Sequence, residues 1–381
     1  MELGIGLAGF GFIGKVHTYG YRTLSLFYDP APVKPKLVGV CTSRPDTAAK
    51  AADVGEFEYG TADFRALLDD DRIHVIDIAS PNHVHHDQII QAAEAGKHIY
   101  CDKPLTTSLA SAREIAAVLQ AHPRVRHGMT FHMRFIPAMM RARELVQEGF
   151  LGQVYHFHAA YYHAGYTDAT RPMSWRLTKE GGGGALSDLG SHVIDLMSYL
   201  LGDYAAVRAN METFIKERPA AKGSAEMKPV EVDDYVALQA RMANGALGYV
   251  EASRFATGTQ DGMQFIIFGE KGALKFDMMD ANFLYAYDGT APEADLGGRR
   301  GWTQIECVQR YPKPSVLPSP KLPIGWMRFH VHCLFDFLSA VAEERLGTAT
   351  IFDGVRTQAV DEAVRRSAAA GDWVDVEREM A

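Results

Sequence analysis

The chain has 381 residues and a formal net charge of -8, with 47% hydrophobic and 23% charged residues. The composition is that of a globular protein, and the length predicts two domains. A main partner that is a nucleic acid or an anionic membrane would favour a basic surplus, so neither is expected. The sequence holds no run of about 18 apolar residues, so we expect no membrane-spanning helix.

The first part of the chain alternates short apolar runs with helical patterns. Buried strands are predicted at residues 4–8, 36–41, 75–79, 98–101 and 125–130. Helical patterns separate them at residues 47–52, 87–95 and 108–121. This alternation is typical of a parallel sheet covered on both faces, and it predicts an α/β domain over residues 1–130.

The pattern changes after about residue 150. Residues 154–162 alternate like a half-exposed strand, and two further pairs of strands flank tight turns. These turns are Asn244-Gly245, between residues 235–242 and 247–254, and Glu270-Lys271-Gly272, between residues 264–268 and 273–277. Asn-Gly favours a hairpin because both residues tolerate positive φ. We therefore predict a mostly antiparallel sheet with one or two helices against it.

The end of the chain combines a surface segment with two helices. Residues 289–323 are rich in glycine, proline and charge and are predicted to form a long excursion, while helical patterns cover residues 329–343 and 353–370. The predicted division is an α/β domain at 1–130, an α+β domain at 131–345, and a C-terminal helix and tail at 346–381.

A glycine-rich turn follows the first strand and precedes a helix: Gly9-Phe10-Gly11-Phe12-Ile13-Gly14. In this motif the glycines allow a tight turn, close approach of a diphosphate and close packing of helix on strand. The turn predicts dinucleotide binding through Gly9, Gly11, Phe12, Ile13 and Gly14. The alternative is an ordinary strand-to-helix turn.

The end of the second strand bears on the choice of cofactor. An NAD site usually carries a carboxylate there for the ribose 2′-hydroxyl. This chain has Thr42-Ser43-Arg44-Pro45 instead, and hydroxyls with a guanidinium suit a 2′-phosphate. The sequence therefore favours NADP over NAD, with Thr42, Ser43 and Arg44 as contacts. Alternatively Arg44 is solvated and NAD is held by Thr42 or by backbone groups.

Three later motifs resemble the Gfo/Idh/MocA family of glucose–fructose oxidoreductase, inositol dehydrogenase and rhizopine-catabolism proteins. They are Ser80-Pro81-Asn82-His83-Val84-His85, Cys101-Asp102-Lys103-Pro104-Leu105, and the segment from Gly182 to Asp195 with its Asp188-x-x-x-His192 pattern. The resemblance covers nearly the whole chain. It implies a Rossmann domain, a nicotinamide cofactor, and sugar or cyclitol substrates. It also implies that the α+β domain at 131–345 has a large, mostly antiparallel open sheet, binds the substrate and forms a dimer or tetramer through the sheet.

The resemblance also implies roles for individual residues. Lys103 would lie beside the nicotinamide and the substrate hydroxyl, His192 would transfer the proton, and Asp188 would bind substrate. The residues expected along the cofactor are Ser80, Pro81, Asn82, His85, Asp102 and Lys103. Two positions depart from the family: Asp102 replaces the more common glutamate, and His132 stands where many members have asparagine, so a nicotinamide contact of His132 is in doubt.

Without the resemblance, simpler interpretations hold for the same residues. Asp188 would cap a helix, His192 would be a structural histidine and Lys103 an ordinary loop lysine. With it, four residues are added as candidates for the sugar site, because aromatic rings stack on sugar faces and arginine donates to hydroxyls: Arg134, His163, Trp175 and Arg176. They serve equally well as rim or interface residues.

Other residues bear on metal binding and location. The cluster His83, His85 and His86 has no matching ligand pattern, so no metal is expected. Without Cys-x-x-Cys spacing, the cysteines argue against a zinc site or disulfide framework and favour a reducing cytoplasm; they are Cys41, Cys101, Cys307 and Cys333.

The predicted function is hydride transfer to or from a ring carbon of a sugar, sugar derivative or cyclitol. Lys103 and His192 would handle the hydroxyl proton while Asp188 orients the substrate. The alternative is glycoside cleavage by a hydrolase or lyase that reduces its bound NAD only transiently. A third possibility, a non-catalytic nucleotide sensor, is disfavoured because all three polar residues are present.

Overall fold

The computed structural model describes residues 1–377. The strands in this range are β1 Glu2–Ala8, β2 Lys34–Cys41, β3 Tyr59–Thr61, β4 Val75–Ile78, β5 His98–Cys101, β6 His127–Met129, β7 Val154–Tyr162, β8 Tyr204–Glu212, β9 Glu217–Pro219, β10 Met227–Pro229, β11 Tyr235–Met242, β12 Leu247–Ser253, β13 Gly262–Gly269, β14 Gly272–Asp277, β15 Phe283–Asp288, β16 Trp302–Glu306 and β17 Val374–Asp375. The α-helices are α1 Phe12–Phe27, α2 Pro45–Gly55, α3 Arg65–Leu68, α4 Asn82–Glu94, α5 Leu109–Ala121, α6 Pro137–Gln147, α7 Ser191–Leu201, α8 Trp326–Ala342 and α9 Ile351–Ala370.

The chain forms two compact units that are not consecutive in sequence. Unit 1 contains Met1–Phe135 and Tyr311–Gln358, and unit 2 contains Ile136–Arg310 and residues 359–377. This division differs from the predicted segments 131–345 and 346–381, because the chain returns to unit 1 after residue 310. Residues 378–381 of the predicted tail lie outside the described residues.

Helix α8 explains the return to unit 1. Its apolar residues Val331, Leu334 and Leu338 are buried in the same core as strands β1 and β4. The helix lies so close to α1 that a Cβ at Gly20 would come within 2.9 Å of the Leu334 side chain. The helical pattern was therefore predicted correctly, but its packing partner lies more than 300 positions earlier in the sequence.

Unit 1 is an α/β domain of Rossmann type. Its sheet has the strand order β3-β2-β1-β4-β5-β6, and every pair of neighbours is parallel. All strands predicted before residue 131 are present, with ends shifted by at most two residues. The order reverses between β1 and β4, and ligands of such sheets bind outside the carboxyl ends of the strands at that point.

Unit 2 contains a large mixed sheet in the order β16-β15-β14-β13-β7-β12-β11-β8-β17. Both predicted hairpins are confirmed, since β11 pairs with β12 and β13 with β14 in antiparallel register. Only β7 and β12, among the strands of the described range, pair in parallel within this sheet. The predicted fold class, a Rossmann domain followed by a mostly antiparallel α+β domain, is confirmed.

The predicted excursion at residues 289–323 is only partly irregular. Strand β16 lies within it and pairs with β15, extending the sheet by one edge strand. Most of β16 is exposed, and that exposure explains why its alternation of apolar and polar residues is too weak to be recognised.

Among the helices of residues 1–377, none is long and apolar enough to cross a membrane.

Candidate functional site

The glycine turn of unit 1 has the geometry of a dinucleotide cradle. Gly9 adopts φ +93°, and a side chain there would collide with the backbone of Ala79. A Cβ at Gly14 would collide with the Gly9 carbonyl oxygen. At Gly11, in contrast, nothing lies within 4 Å of the position a Cβ would take. Helix α1 begins directly after Gly11 and has no side-chain cap, an arrangement in which the first N–H groups of a helix are suited to bind an anion such as a diphosphate.

Substitution of Gly11 and Gly14 by alanine separates cofactor binding from folding. Gly11→Ala is expected to fold normally but to weaken dinucleotide binding at least about 10-fold, because its methyl group would enter the space predicted for the diphosphate. Gly14→Ala is expected to lower the free energy of unfolding by about 1–3 kcal/mol through overpacking. Fluorescence titration with NADH and thermal unfolding measure both effects. Wild-type affinity in Gly11→Ala would contradict this assignment.

The turn after β2 contains a carboxylate that the sequence interpretation did not use. Arg44 precedes α2 and donates through Nε and Nη2 to the two carboxylate oxygens of Asp46, at 3.1 and 3.4 Å. The side chains are 64% and 71% exposed. Thr42 Oγ1 donates to the Arg44 carbonyl oxygen and lies 2.6 Å from Thr47 Oγ1, while Ser43 is exposed. Arg44 is thus paired within its own turn.

The loops after β4 and β5 carry the remaining predicted cofactor residues. The Ser80 hydroxyl donates to Gln88 Oε1 at 2.6 Å, and Pro81 and Asn82 begin helix α4. His85 is buried, with its ring nitrogens 2.9 Å from the Ser80 carbonyl oxygen and 3.1 Å from that of Pro104. This geometry favours a bracing role for His85 between the two loops over a direct cofactor contact.

The Asp102–Lys103 turn lies among several titratable groups. Burial raises the pKa of the Asp102 carboxyl, and the positive charges of Lys103, His17 and His85 partly offset that rise. The Lys103 side chain is half-buried at the end of β5. The side chains of Asp102 and Lys103 therefore belong to a turn at the edge of the sheet where cofactors of this fold bind.

In unit 2, Asp188 lies in a π-helical turn, Leu186–Gly190, that leads into α7. The spacing of four residues would place Asp188 and His192 on one face of a regular α-helix. Asp188 lies instead in the wider π turn. Single π turns are common at functional sites.

Residues distant in sequence hold this π turn. Asp233 Oδ2 accepts from the Leu186 N–H at 2.8 Å, Arg365 donates to the Ser187 hydroxyl at 2.8 Å, and Arg254 donates to Asp188 Oδ2 at 3.0 Å. Only glycine fits at position 184, because a side chain there would collide with the Asp233 carboxylate. The glycine run before the turn thus allows Asp233 to reach it.

Asp188 and Arg254 form an ion pair in which the arginine is only 1% exposed. Burial lowers the pKa of Arg254, but the charge of Asp188 and nearby groups outweighs burial, so the pKa is raised and the guanidinium stays charged. Arg254 lies 4.5 Å over the Tyr166 ring and also donates to the Arg176 carbonyl oxygen at 3.2 Å. Arg254 was missed because its partner lies 66 positions away in the sequence.

His192 lies beside Tyr161 of strand β7, which also contacts His163 in the segment after the strand. The Tyr161 ring meets the His192 ring edge to face at 5.8 Å, and the His163 ring at 5.0 Å. The Tyr161 hydroxyl donates to Asp261 Oδ1 at 2.6 Å, and His163 Nε2 lies 3.2 Å from the same atom. Burial raises the pKa of Tyr161 well above its usual value, as do the charges of Asp261 and Asp188. The Tyr161 hydroxyl is therefore neutral at physiological pH.

Two of the predicted sugar-site arginines have structural partners. The Arg176 guanidinium lies 4.2 Å over the Trp175 ring, and both side chains are half-buried. Arg134, in unit 1, is buried and pairs with Asp353 at 3.1 Å while donating to the Thr348 carbonyl oxygen at 2.7 Å. These contacts favour a structural role for Arg134 over the predicted substrate contact.

Within residues 1–377, no group of three His, Cys, Asp or Glu side chains is arranged to hold a metal ion. Of the histidines in the α4 cluster, His83 is exposed, His85 is buried, and His86 contacts Asp87 and Glu114. The four cysteines are buried free thiols.

The structure thus assembles two groups of predicted residues, one in each unit. The glycine turn, the turn after β2 and the Asp102–Lys103 turn share the cofactor edge of unit 1, while Asp188, His192 and His163 gather around Tyr161 in unit 2. Residues 3–128 match a family model described as "Oxidoreductase family, NAD-binding Rossmann fold", and residues 139–275 match "GFO/IDH/MocA C-terminal domain". These matches define the chain as an NAD-binding oxidoreductase.

The chain belongs to the Gfo/Idh/MocA family. It is 36% identical to levoglucosan dehydrogenase of Pseudarthrobacter phenanthrenivorans over 98% of each chain. Solved structures of a levoglucosan dehydrogenase in complex with NADH, and with NADH and levoglucosan, superpose with TM-scores of 0.94 and 0.93 at 36% identity, covering 100% of both chains.

Proposed function

We propose that this protein is a dehydrogenase that oxidises a ring hydroxyl of levoglucosan or a closely related sugar with NAD as hydride acceptor. The observation that carries the proposal is the π turn of unit 2. There a buried arginine fixes Asp188, four positions before His192, and the His192 ring contacts Tyr161. The similarity to levoglucosan dehydrogenase over the whole chain supports the sugar class.

Each polar residue has a defined task in this reaction. Bound NAD supplies the hydride acceptor. Oxidation of an alcohol also requires a base for the hydroxyl proton, and a histidine suits this task because its ordinary pKa of about 6.5 lies near physiological pH. We assign the hydroxyl proton to His192 and Lys103 together. Asp188, held by Arg254, accepts a hydrogen bond from a neighbouring sugar hydroxyl and orients the ring.

Absorbance of NADH during incubation with a sugar panel tests the proposal. The panel contains levoglucosan, glucose, an inositol and simple glycosides, each with NAD and with NADP. NADH formation on levoglucosan in preference to the others is the expected result. No absorbance change on any compound, together with release of the aglycone from a glycoside, would replace the proposal with redox-assisted cleavage. No absorbance change and no cleavage by protein that binds NADH would contradict both.

We further propose NAD rather than NADP, against the preference inferred from Thr42, Ser43 and Arg44. The pKa of Asp46 is lowered, chiefly by the hydrogen bond from Arg44, so the carboxylate is charged at physiological pH. A 2′-phosphate that approached Arg44 would meet this negative charge. The NADH complexes of the related levoglucosan dehydrogenase support the same choice.

Removal of the Asp46 charge is expected to shift the selectivity. Asp46→Asn should raise kcat/KM for NADP about 5- to 10-fold, because one repulsion of the 2′-phosphate is lost and Arg44 is released. Activity with NAD should change less than about 2-fold. Asp69→Asn is the matched control, since Asp69 forms an equally exposed pair with Arg65 at 3.1 Å. An unchanged NADP to NAD ratio in Asp46→Asn would exclude this carboxylate as a selectivity determinant.

The outer face of the unit 2 sheet supports the proposed oligomer. Polar and aromatic side chains line a cavity of about 620 Å³ on this face, among them His158, Tyr162, Tyr249, Glu251, Lys275 and Tyr285. Uncovered aromatic surface of this kind marks interaction sites. We expect a dimer or tetramer by light scattering; a monomer at micromolar concentration would contradict this role of the sheet.

The buried free thiols support a reducing, cytoplasmic location.

A further inference from the structure

A row of aromatic rings in unit 1 has no part in the function proposed above. The Trp326 ring lies 5.7 Å from the Phe12 ring, 4.1 Å from the His330 ring and 5.4 Å from the His132 ring. The two imidazoles stack on each other at 3.9 Å with an angle of 20° between their planes. Both histidines are buried, and Trp326 is half-buried. The row therefore runs from Phe12 through Trp326 to the histidine pair.

The ring contacts of Trp326 place it at the cofactor edge of the sheet. The indole contacts Phe12, which follows β1, and His132, which follows β6. Because the strands from β1 to β6 are parallel, both residues lie beyond the carboxyl ends of their strands, and α8 therefore begins at that edge. The helix then crosses α1, since Arg328 near its start donates to the Tyr28 hydroxyl at the end of α1.

The row spans the same interval as the nicotinamide half of a bound dinucleotide. Phe12 follows β1 and His132 follows β6, and the order β1-β4-β5-β6 separates these strands by three spacings of about 4.8 Å, roughly 14 Å. The loops after β4 and β5, which carry Ser80 and Lys103, lie in this interval. A dinucleotide whose diphosphate lies at Gly11 and whose nicotinamide reaches Lys103 extends in the same direction.

We propose that Trp326 is a cofactor-binding residue whose indole ring packs against the nicotinamide riboside half of the dinucleotide. Two observations support this position: the Phe12 side chain that it contacts is 71% exposed, and the space at Gly11 beside Phe12 is open. The stacked His330 and His132 rings hold the indole from the other side. The histidine at position 132 thus acts as a support for Trp326.

Energy transfer from tryptophan to bound NADH tests this assignment without any sugar substrate. In the wild-type protein, NADH titration should quench tryptophan fluorescence and produce sensitised NADH emission, which falls steeply with distance from the indole. Trp326→Phe keeps a ring against His330, so it should fold normally but lose more than half of the sensitised emission. Trp302→Phe and Trp373→Phe are the controls and should retain it.

A second variant measures the contribution of the ring to affinity. Trp326→Ala is expected to raise the Kd for NADH about 10-fold, the loss expected for one aromatic contact, whereas Trp326→Phe should raise it less. Unchanged sensitised emission in Trp326→Phe, or its loss in Trp302→Phe or Trp373→Phe instead, would overturn the proposal. So would a wild-type Kd in Trp326→Ala. These outcomes do not depend on which sugar the enzyme oxidises.

Discussion

Replacement of Lys103 by methionine, or of His192 by asparagine, is expected to lower kcat about 10³-fold with the preferred sugar, within the range of 10²–10⁴ typical for loss of a general acid or base. The reason is that the hydroxyl proton then has no positioned acceptor as the hydride leaves. In the proposed mechanism both residues handle the same proton, so the double variant should lose much less than the product of the two single losses.

The Kd for NADH, measured beside kcat, separates an effect on catalysis from an effect on cofactor binding or folding. The Kd for NADH, measured by fluorescence, should stay within about 3-fold of wild type in His192→Asn, because His192 belongs to unit 2 and the cofactor turn to unit 1. Two variants serve as matched controls. In His122→Asn, the only described hydrogen bond of the ring is the one to the Val118 carbonyl oxygen of its own helix. Lys228→Met changes a lysine on an exposed strand. A loss of less than about 10-fold in either catalytic variant would contradict the assigned role.

Replacement of Asp77 by asparagine is expected to destabilise unit 1 by about 3 kcal/mol near pH 6. Asp77 and His17 are both buried, and His17 Nδ1 lies 2.9 Å from Asp77 Oδ1. The other ring nitrogen lies 3.4 Å from the Thr130 hydroxyl, which itself donates to the Cys101 carbonyl oxygen. Because the Thr130 hydroxyl donates its proton to Cys101, it can only accept a hydrogen bond from His17. Both ring nitrogens of His17 therefore act as donors, as in the charged imidazolium.

The charge state gives this prediction a pH dependence. Burial lowers the pKa of His17, but the charge and hydrogen bond of Asp77 and the charge of Asp102 outweigh it, so the pKa is raised above 6.5. A raised pKa stabilises the fold fully below the unfolded-state value, and that contribution is lost as pH rises through the folded-state value. The difference between wild type and Asp77→Asn should therefore shrink from about pH 6 to about pH 9.

Hydrogen exchange of the β4 and β5 amides measures this stability locally, in wild type and variant at both pH values. Asp69→Asn serves again as control, since its exposed carboxylate pairs with Arg65 and should change protection by less than about 1 kcal/mol. A difference between wild type and Asp77→Asn that is independent of pH would show that His17 is neutral in the folded protein.

The sequence alone determined the features that depend on local pattern. The apolar alternation predicted the parallel sheet of unit 1, and Asn244-Gly245 predicted the β11–β12 hairpin, because neighbours in sequence are also partners in space there. The glycine turn was equally local, since the steric reasons for Gly9 and Gly14 arise within one strand-turn-helix unit and the loop beside it. The motifs around Lys103, Asp188 and His192 likewise sufficed to indicate the family.

Only the tertiary structure decided how distant segments complete these elements. Helix α8 returns to unit 1 because its apolar face packs on α1, and a helical pattern does not name its partner. Asp188 sits in a π turn rather than a regular helix because Asp233, Arg254 and Arg365 hold it from three other segments. Ion pairs and ring contacts of this kind depend on the path of the chain in space, and the order of residues carries no local signal for them.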